Sequence, residues 1–272
     1  MHIGGWVTDD EISHHASVID KLCFSGNRNI VQVFSQACTN EKSPVYYIDM
    51  ELCTSTLAEY IGNVGFWQGQ RSQSPKEKLF GTFEIMRQLA EAVRFIHSCG
   101  EVHRDLNPTN GEVSHIVLSL IYSVLYRDRD QSWVVTGFSI VSELDQYSSG
   151  RSTPNARGTS GYRGPELLNV ARFSSKVDIW ALGCIMFELW TGRRVFDNDF
   201  SVFMWIQNSS TPPLVPMDGL EDDLHTQLQL VLEQLLKIDP MERPTADSLV
   251  NQFENFLRPH QTPLSMASKF PL

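Results

Sequence analysis

The side chains most able to do chemistry crowd into residues 102–110, VHRDLNPTN. A histidine, an arginine, an aspartate and two asparagines surround one proline, just after a long helical pattern that ends at Cys99-Gly100. Carboxylate and carboxamide oxygens of this kind suit proton transfer and hard-cation binding. Other stretches offer less. His97 and His103 flank a helix end without acid or thiol partners at metal-ligand spacing, and read as structural. The five cysteines, Cys23, Cys38, Cys53, Cys99 and Cys184, form no CxxC pair. GNVGFWQG (62–69) is rich in glycine but lacks GxGxxG spacing, so it reads as a loop. SWVVTGFSI (132–140) looks like a strand broken by a glycine, and it holds no acid.

The elements around these residues follow from periodicity. Thr8 begins TDDE, a capping-box pattern, and Ile12, Ala16, Ile19 and Leu22 then recur at helical spacing, which predicts a helix over 9–22. NIVQVFSQA (29–37) and VYYIDMELC (45–53) read as two strands of a hairpin or meander. A short helix and a polar loop precede a long helix with Phe83, Met86, Leu89, Ala90, Val93 and Ile96 on one face, ending where Gly100 suits a C-terminal cap. Residues 100–172 show little helical period, and so long a loop region in a compact domain is usually functional. VDIWALGCIMFELW (177–190) is apolar on nearly every face and reads as a buried central helix. Residues 221–237 predict another amphipathic helix, and Thr245 caps a last one reaching Phe256.

VHRDLNPTN resembles the catalytic loop of eukaryotic protein kinases, usually HRDLKPxN. The resemblance implies that Asp105 accepts the substrate hydroxyl proton, that Asn110 binds magnesium, and that Thr159 supports the base. More of the pattern follows in order. RGTSGYRGPELL (157–168) is similar to the GTxxYxAPE segment, with Gly164 in place of alanine. KVDIWALGCIMFEL (176–189) resembles the buried helix whose aspartate, here Asp178, holds the catalytic loop. IDPMERP (238–244) resembles the motif whose arginine pairs with the APE glutamate, here Arg243 with Glu166. IDMELC (48–53) resembles the hinge strand, with Met50 as gatekeeper and the backbones of Glu51 and Cys53 facing adenine. NRNIV (27–31) resembles the HPNIV after helix C, and Pro108 favours the serine/threonine branch. Arg104 would be the docking point for a phosphate on Ser152 or Thr153.

The fold class implied is α+β: a protein kinase-like fold, mainly the helical C-lobe, with a partial N-lobe of helix C and two strands. Residues 1–53 would be the partial N-lobe and hinge, 54–257 the C-lobe, and 258–272 a flexible tail. The cofactors implied are ATP and Mg2+, and the partner a protein substrate or protein ligand.

The departures from the family sit on its functional parts. The chain starts just before helix C, with no Gly-rich loop and no strand-3 lysine. The helix-C glutamate position falls on His15, and Glu11 one turn earlier is claimed by the capping box. Asn107 replaces the catalytic-loop lysine. Residues 111–123 look like an insertion after Asn110. Where Asp-Phe-Gly is expected, either Gly137-Phe138-Ser139 replaces it residue by residue, or Asp and Phe are deleted and Gly137 is the surviving glycine; the second alignment disturbs its flanks less. The expectation is a catalytically impaired or dead kinase homologue. The alternatives are an active Ser/Thr kinase represented by an incomplete gene model, and a pseudokinase scaffold or interaction protein. Missing strands would also leave an exposed sheet edge and exposed apolar surface.

Composition narrows the setting. The 272 residues carry 32 acids against 22 bases, a net charge of −10, so no nucleic acid partner is expected. The longest apolar run, 116–126, is too short to span a membrane, and MHIGGWVTDDEIS lacks the pattern of a signal peptide. Scattered cysteines point to a reducing, intracellular location, cytoplasmic or nuclear.

Overall fold

The computed structural model describes residues 9–38, 46–67, 74–108, 123–138, 142–143, 151–152, 158–169, 172–208 and 219–260. Thr8, Asn110, Ser139 and Thr153 lie outside these residues, as do 109–122 and 261–272, so the expectations placed on them stay as sequence readings.

The first described element is α1 (Asp9–Cys23). Val18, Ile19 and Leu22 are buried on its inner face, three and four residues apart as an amphipathic helix requires. It packs beside a hairpin of β1 (Val33–Cys38) and β2 (Tyr46–Met50), antiparallel with a bulge between Val33 and Ser35. Gln36 of β1 donates to Asp20 (2.6 Å) and to the Ala16 carbonyl (3.1 Å), which fastens strand to helix. Both strands are shorter than the sequence suggests. Residues before β1 turn away to the body of the protein, where Val31 N–H bonds the Val135 carbonyl at 3.0 Å.

After the hinge, β3 (Ser55–Thr56), β5 (Val124–Arg127) and β6 (Ser132–Val135) form a three-stranded sheet in the order β3-β5-β6. Between β3 and β5 run α2 (Leu57–Trp67), α3 (Pro75–Ser98) and β4 (Glu101–Val102). Ser74 and Glu77 make a reciprocal capping box at the start of α3, with Pro75 in the first turn where its missing N–H costs nothing. At the other end Gly100 takes φ +76, the left-handed conformation that glycine accepts without strain.

Short strands β7 (Ser142–Glu143) and β8 (Arg151–Ser152) pair with β4 and with β9 (Arg172–Phe173), and α4 (Pro165–Asn169) lies between β8 and β9. The rest is helical: α5 (Lys176–Thr191), α6 (Asp199–Asn208), α7 (Asp222–Leu235) and α8 (Ala246–Leu257). Ile179, Trp180, Leu182, Ile185 and Met186 of α5 are all buried, so this helix is surrounded on every side. Phe83 of α3 stacks on Phe256 and meets Phe253 edge-on, which joins α3 to α8. Among the described residues, no helix is long and apolar enough to cross a membrane.

Candidate active site

The loop after β4 is held from below by one buried carboxylate. Asp178 of α5 is fully buried and accepts three hydrogen bonds. These come from His103 N–H (2.9 Å), Arg104 N–H (2.8 Å) and His97 Nε2–H (2.8 Å). Burial alone would push its carboxyl up; the bond from His97, the nearby imidazoles and the Arg104 amide outweigh it, and the net pKa is lowered. Arg104 has φ +70, unusual for a residue with a side chain. Such strain costs about 1–3 kcal/mol. Hydrogen bonds to a charged group return about 1.5–3 kcal/mol each, so the Asp178 contacts are enough to hold it. Gly158 crosses so close that a Cβ there would lie 2.5 Å from the Arg104 carbonyl oxygen.

This backbone presents Asp105, which is partly exposed. Thr159 Oγ1–H donates to Asp105 Oδ1 at 2.6 Å. Asn107 is buried and turned inward: its Nδ2 donates to Thr159 Oγ1 (3.0 Å) and the Asp105 carbonyl (2.9 Å), with Asp105 Oδ1 at 3.3 Å. The expected neutral amide is thus an internal brace for Asp105. His103 completes the frame. Asp105 N–H donates to its Nδ1 (3.2 Å), so the ring's proton sits on Nε2 and goes to the Thr136 carbonyl (2.8 Å). Phe138 packs edge-on to the same ring, centroids 5.5 Å apart. Gly137, between them, has φ +79.

Ser123 is a residue that sequence reasoning missed, since it reads as the last of the insertion. It is buried, accepts the Asn107 N–H and donates to the Asn107 carbonyl, each at 2.7 Å. Its own carbonyl accepts Thr136 N–H at 3.0 Å, so it joins the loop to the end of β6.

Farther out, Glu166 and Arg243 meet in a bidentate pair, 2.7 and 2.9 Å, and the guanidinium lies over Trp180 at 5.0 Å. Tyr162 donates a short hydrogen bond to buried Glu188; burial raises the pKa of both. Arg163 pairs with Asp199 at 2.6 Å. Arg104, the expected phosphate dock, is buried with its guanidinium 4.0 Å above the Phe173 ring. At the hinge, Met50 is half-buried at the end of β2 opposite Val33. The Cys53 thiol is pushed up to about 11, mainly by burial and then by Glu51, so it is not a nucleophile at neutral pH. The Glu51 carboxylate is buried against Arg127, 2.9 Å away. His15, expected at the helix-C glutamate position, is lowered by burial first and by His14 second, which favours the neutral ring.

A small strand-and-helix part joined by a hinge to a helical body, with an aspartate presented on a loop pinned by a buried carboxylate, is the arrangement of protein kinases. The protein kinase domain model matches residues 8–253, and the chain belongs to that family. Three relatives show its place in more detail. It is 28% identical over 235 residues to eukaryotic translation initiation factor 2-alpha kinase 3 of Rattus norvegicus, covering 82% of this chain and 19% of that one. It is 29% identical over 243 residues to the Schizosaccharomyces pombe serine/threonine-protein kinase ppk16, covering 89% and 30%. It is 27% identical over 266 residues to the MAP kinase kinase kinase win1 of the same yeast, covering 90% and 17%. The chain thus spans less than a third of the length of each of these relatives.

The family's chemistry uses ATP and magnesium. Among the described residues no group of three or more His, Cys, Asp or Glu could hold a metal ion, and Asn110, the expected ligand, lies outside them. Magnesium takes oxygen ligands, usually one or two carboxylates beside the phosphates. Near Asp105, Asn107 Nδ2 and the Thr159 hydroxyl are engaged with Asp105 itself, and beyond β6 Gly137 and Phe138 offer no side-chain oxygen.

Proposed function

We propose that this chain is a catalytically impaired protein kinase domain that acts by engaging a protein partner. The ancestral reaction would be transfer of the ATP γ-phosphate to a protein serine or threonine. The observation that carries this reading is the backbone after β6. Where the family places its metal-binding aspartate, Thr136-Gly137-Phe138 passes under His103, and Gly137 brings no side chain. Under either alignment, replacement or deletion, Gly137 puts no carboxylate there, and Phe138 packs edge-on to His103. A metal ion contributes several kcal/mol to charge neutralisation. Each ~1.4 kcal/mol lost is about tenfold in rate.

Asp105 keeps its partner Thr159 and its exposure, which favours the second reading, an active Ser/Thr kinase from an incomplete gene model. A transfer assay with γ-labelled ATP and magnesium separates the two. The expected result is no transfer that depends on Asp105, with or without a nucleotide-induced rise in Tm; such a rise without turnover defines a pseudokinase. Transfer by the wild type that Asp105→Asn abolishes would overturn the proposal. Gly137→Asp is the informative gain-of-function variant, because aspartate tolerates positive φ better than most residues. An intracellular location fits Cys23, Cys53, Cys99 and Cys184, which are free thiols.

A further inference from the structure

The hinge is fastened by a side chain that the catalytic reading does not use. Arg127 lies in β5, 3% exposed, and spends its guanidinium on both sides of the joint. Its Nη1 donates to Glu51 Oε1 (2.9 Å) at the start of the hinge, and its Nη2 to the Arg28 carbonyl (2.6 Å) in the segment between α1 and β1. Its Nε and Nη2 also make a bidentate pair with Asp130, at 2.8 Å each. Glu51 Oε1 accepts the Gln32 N–H as well (2.9 Å), while Glu51 N–H donates to the Gln32 carbonyl (2.9 Å). Arg129 approaches Glu51 Oε2 at 3.3 Å. At the other end of the hinge, Thr54 N–H bonds the carbonyl of Tyr126, the neighbour of Arg127. Between these fixed ends Leu52 is 87% exposed.

We propose that Arg127 is a positioning residue for nucleotide binding. It fixes the direction of the Glu51–Cys53 backbone by clamping Glu51 and Arg28 to β5. The inference rests on the reading that this backbone faces adenine. The planar fork matters more than the charge: a lysine cannot reach Glu51, Asp130 and the Arg28 carbonyl together. The hinge should therefore be stiff in the wild type, and a nucleotide would meet a backbone already set in place.

The test uses the 272-residue chain in three forms: wild type, Arg127→Lys, and the paired Glu51→Gln/Arg127→Met, which leaves no lone buried charge. Amide hydrogen exchange is followed at residues 51–54 and, as a reference, in α5. Affinity for a fluorescent ATP analogue and urea stability are measured on the same samples. In both variants the hinge amides should exchange about tenfold faster than in the wild type, with α5 unchanged. Affinity should fall about tenfold, and should stay low in the paired variant when its urea midpoint matches wild type. Hinge exchange that does not change, or that rises in step with α5, overturns the proposal. So does an affinity that recovers together with stability, since that marks a merely structural role. If the wild type binds no nucleotide, the adenine reading falls, and with it the nucleotide role of Arg127; faster exchange confined to the hinge would then leave it a clamp alone.

Discussion

At the residue scale, Asp178 shows how one side chain sets a loop. Asp178→Asn places an amide against backbone donors, and should cost about 2–3 kcal/mol in urea unfolding. The pH dependence has a definite sign. The folded pKa lies below the ordinary 3.8, so the unfolded state binds the proton first as pH falls. Asp178 therefore stabilises the fold fully above that value, and the contribution is lost as pH drops through the lowered pKa. Below about pH 4 the wild type should lose stability more steeply than Asp178→Asn; parallel curves would count against this account. Gly164 makes a second case. A Cβ there would sit 2.6 Å from Glu166 Oε2, and Glu166 cannot swing freely while Arg243 grips both its oxygens. Gly164→Ala should cost about 1–3 kcal/mol, although alanine is the family's own residue here. Asp178, Glu166 and Arg243 were legible because fixed motifs carry them. Arg127 was not, since its partner Glu51 lies 76 residues away and no local pattern links the two.

At the scale of elements, helices could be read more easily than strands. The 3.6-residue period of α3 and α8 is set by their own side chains, and Ser74 and Thr245 cap them where the sequence places polar residues before apolar runs. The strands of the β3-β5-β6 sheet are two to four residues long, too short for alternation to show. Helix crossings were also out of reach. At Gly183 of α5 a Cβ would come within 2.8 Å of Leu236 and 2.9 Å of Leu235, so the end of α7 rests directly on the α5 backbone. Gly183→Ala gains about 1 kcal/mol of helix propensity. Overpacking, at about 1–3 kcal/mol, outweighs it, so the net effect in a denaturant titration should be destabilising. A more stable Gly183→Ala protein would mean that α7 shifts at little cost.

For the whole molecule, the surface carries the mark of its composition. Phe34 and Tyr47 on the β1–β2 hairpin are 54% and 52% exposed, and Phe200, Phe203 and Met204 on α6 are 69%, 44% and 43% exposed. Exposed aromatic side chains on so small a sheet make an apolar surface that water meets directly. The isolated chain should bind a hydrophobic dye, and Phe34→Ser with Tyr47→Ser should lower the signal. A monomeric wild-type chain that binds no dye would contradict this.

Asn107 and Ser123 are 16 positions apart and exchange two hydrogen bonds. To the fold they are neighbours, whatever detour the chain takes between them. Closing such a detour depends only weakly on its length, about 0.6 kcal/mol for each doubling. The gene could therefore gain or shed residues at this point while the architecture around Asp105 kept its shape. A change of length here costs the fold little entropy, yet it falls on the segment that carries Asn110.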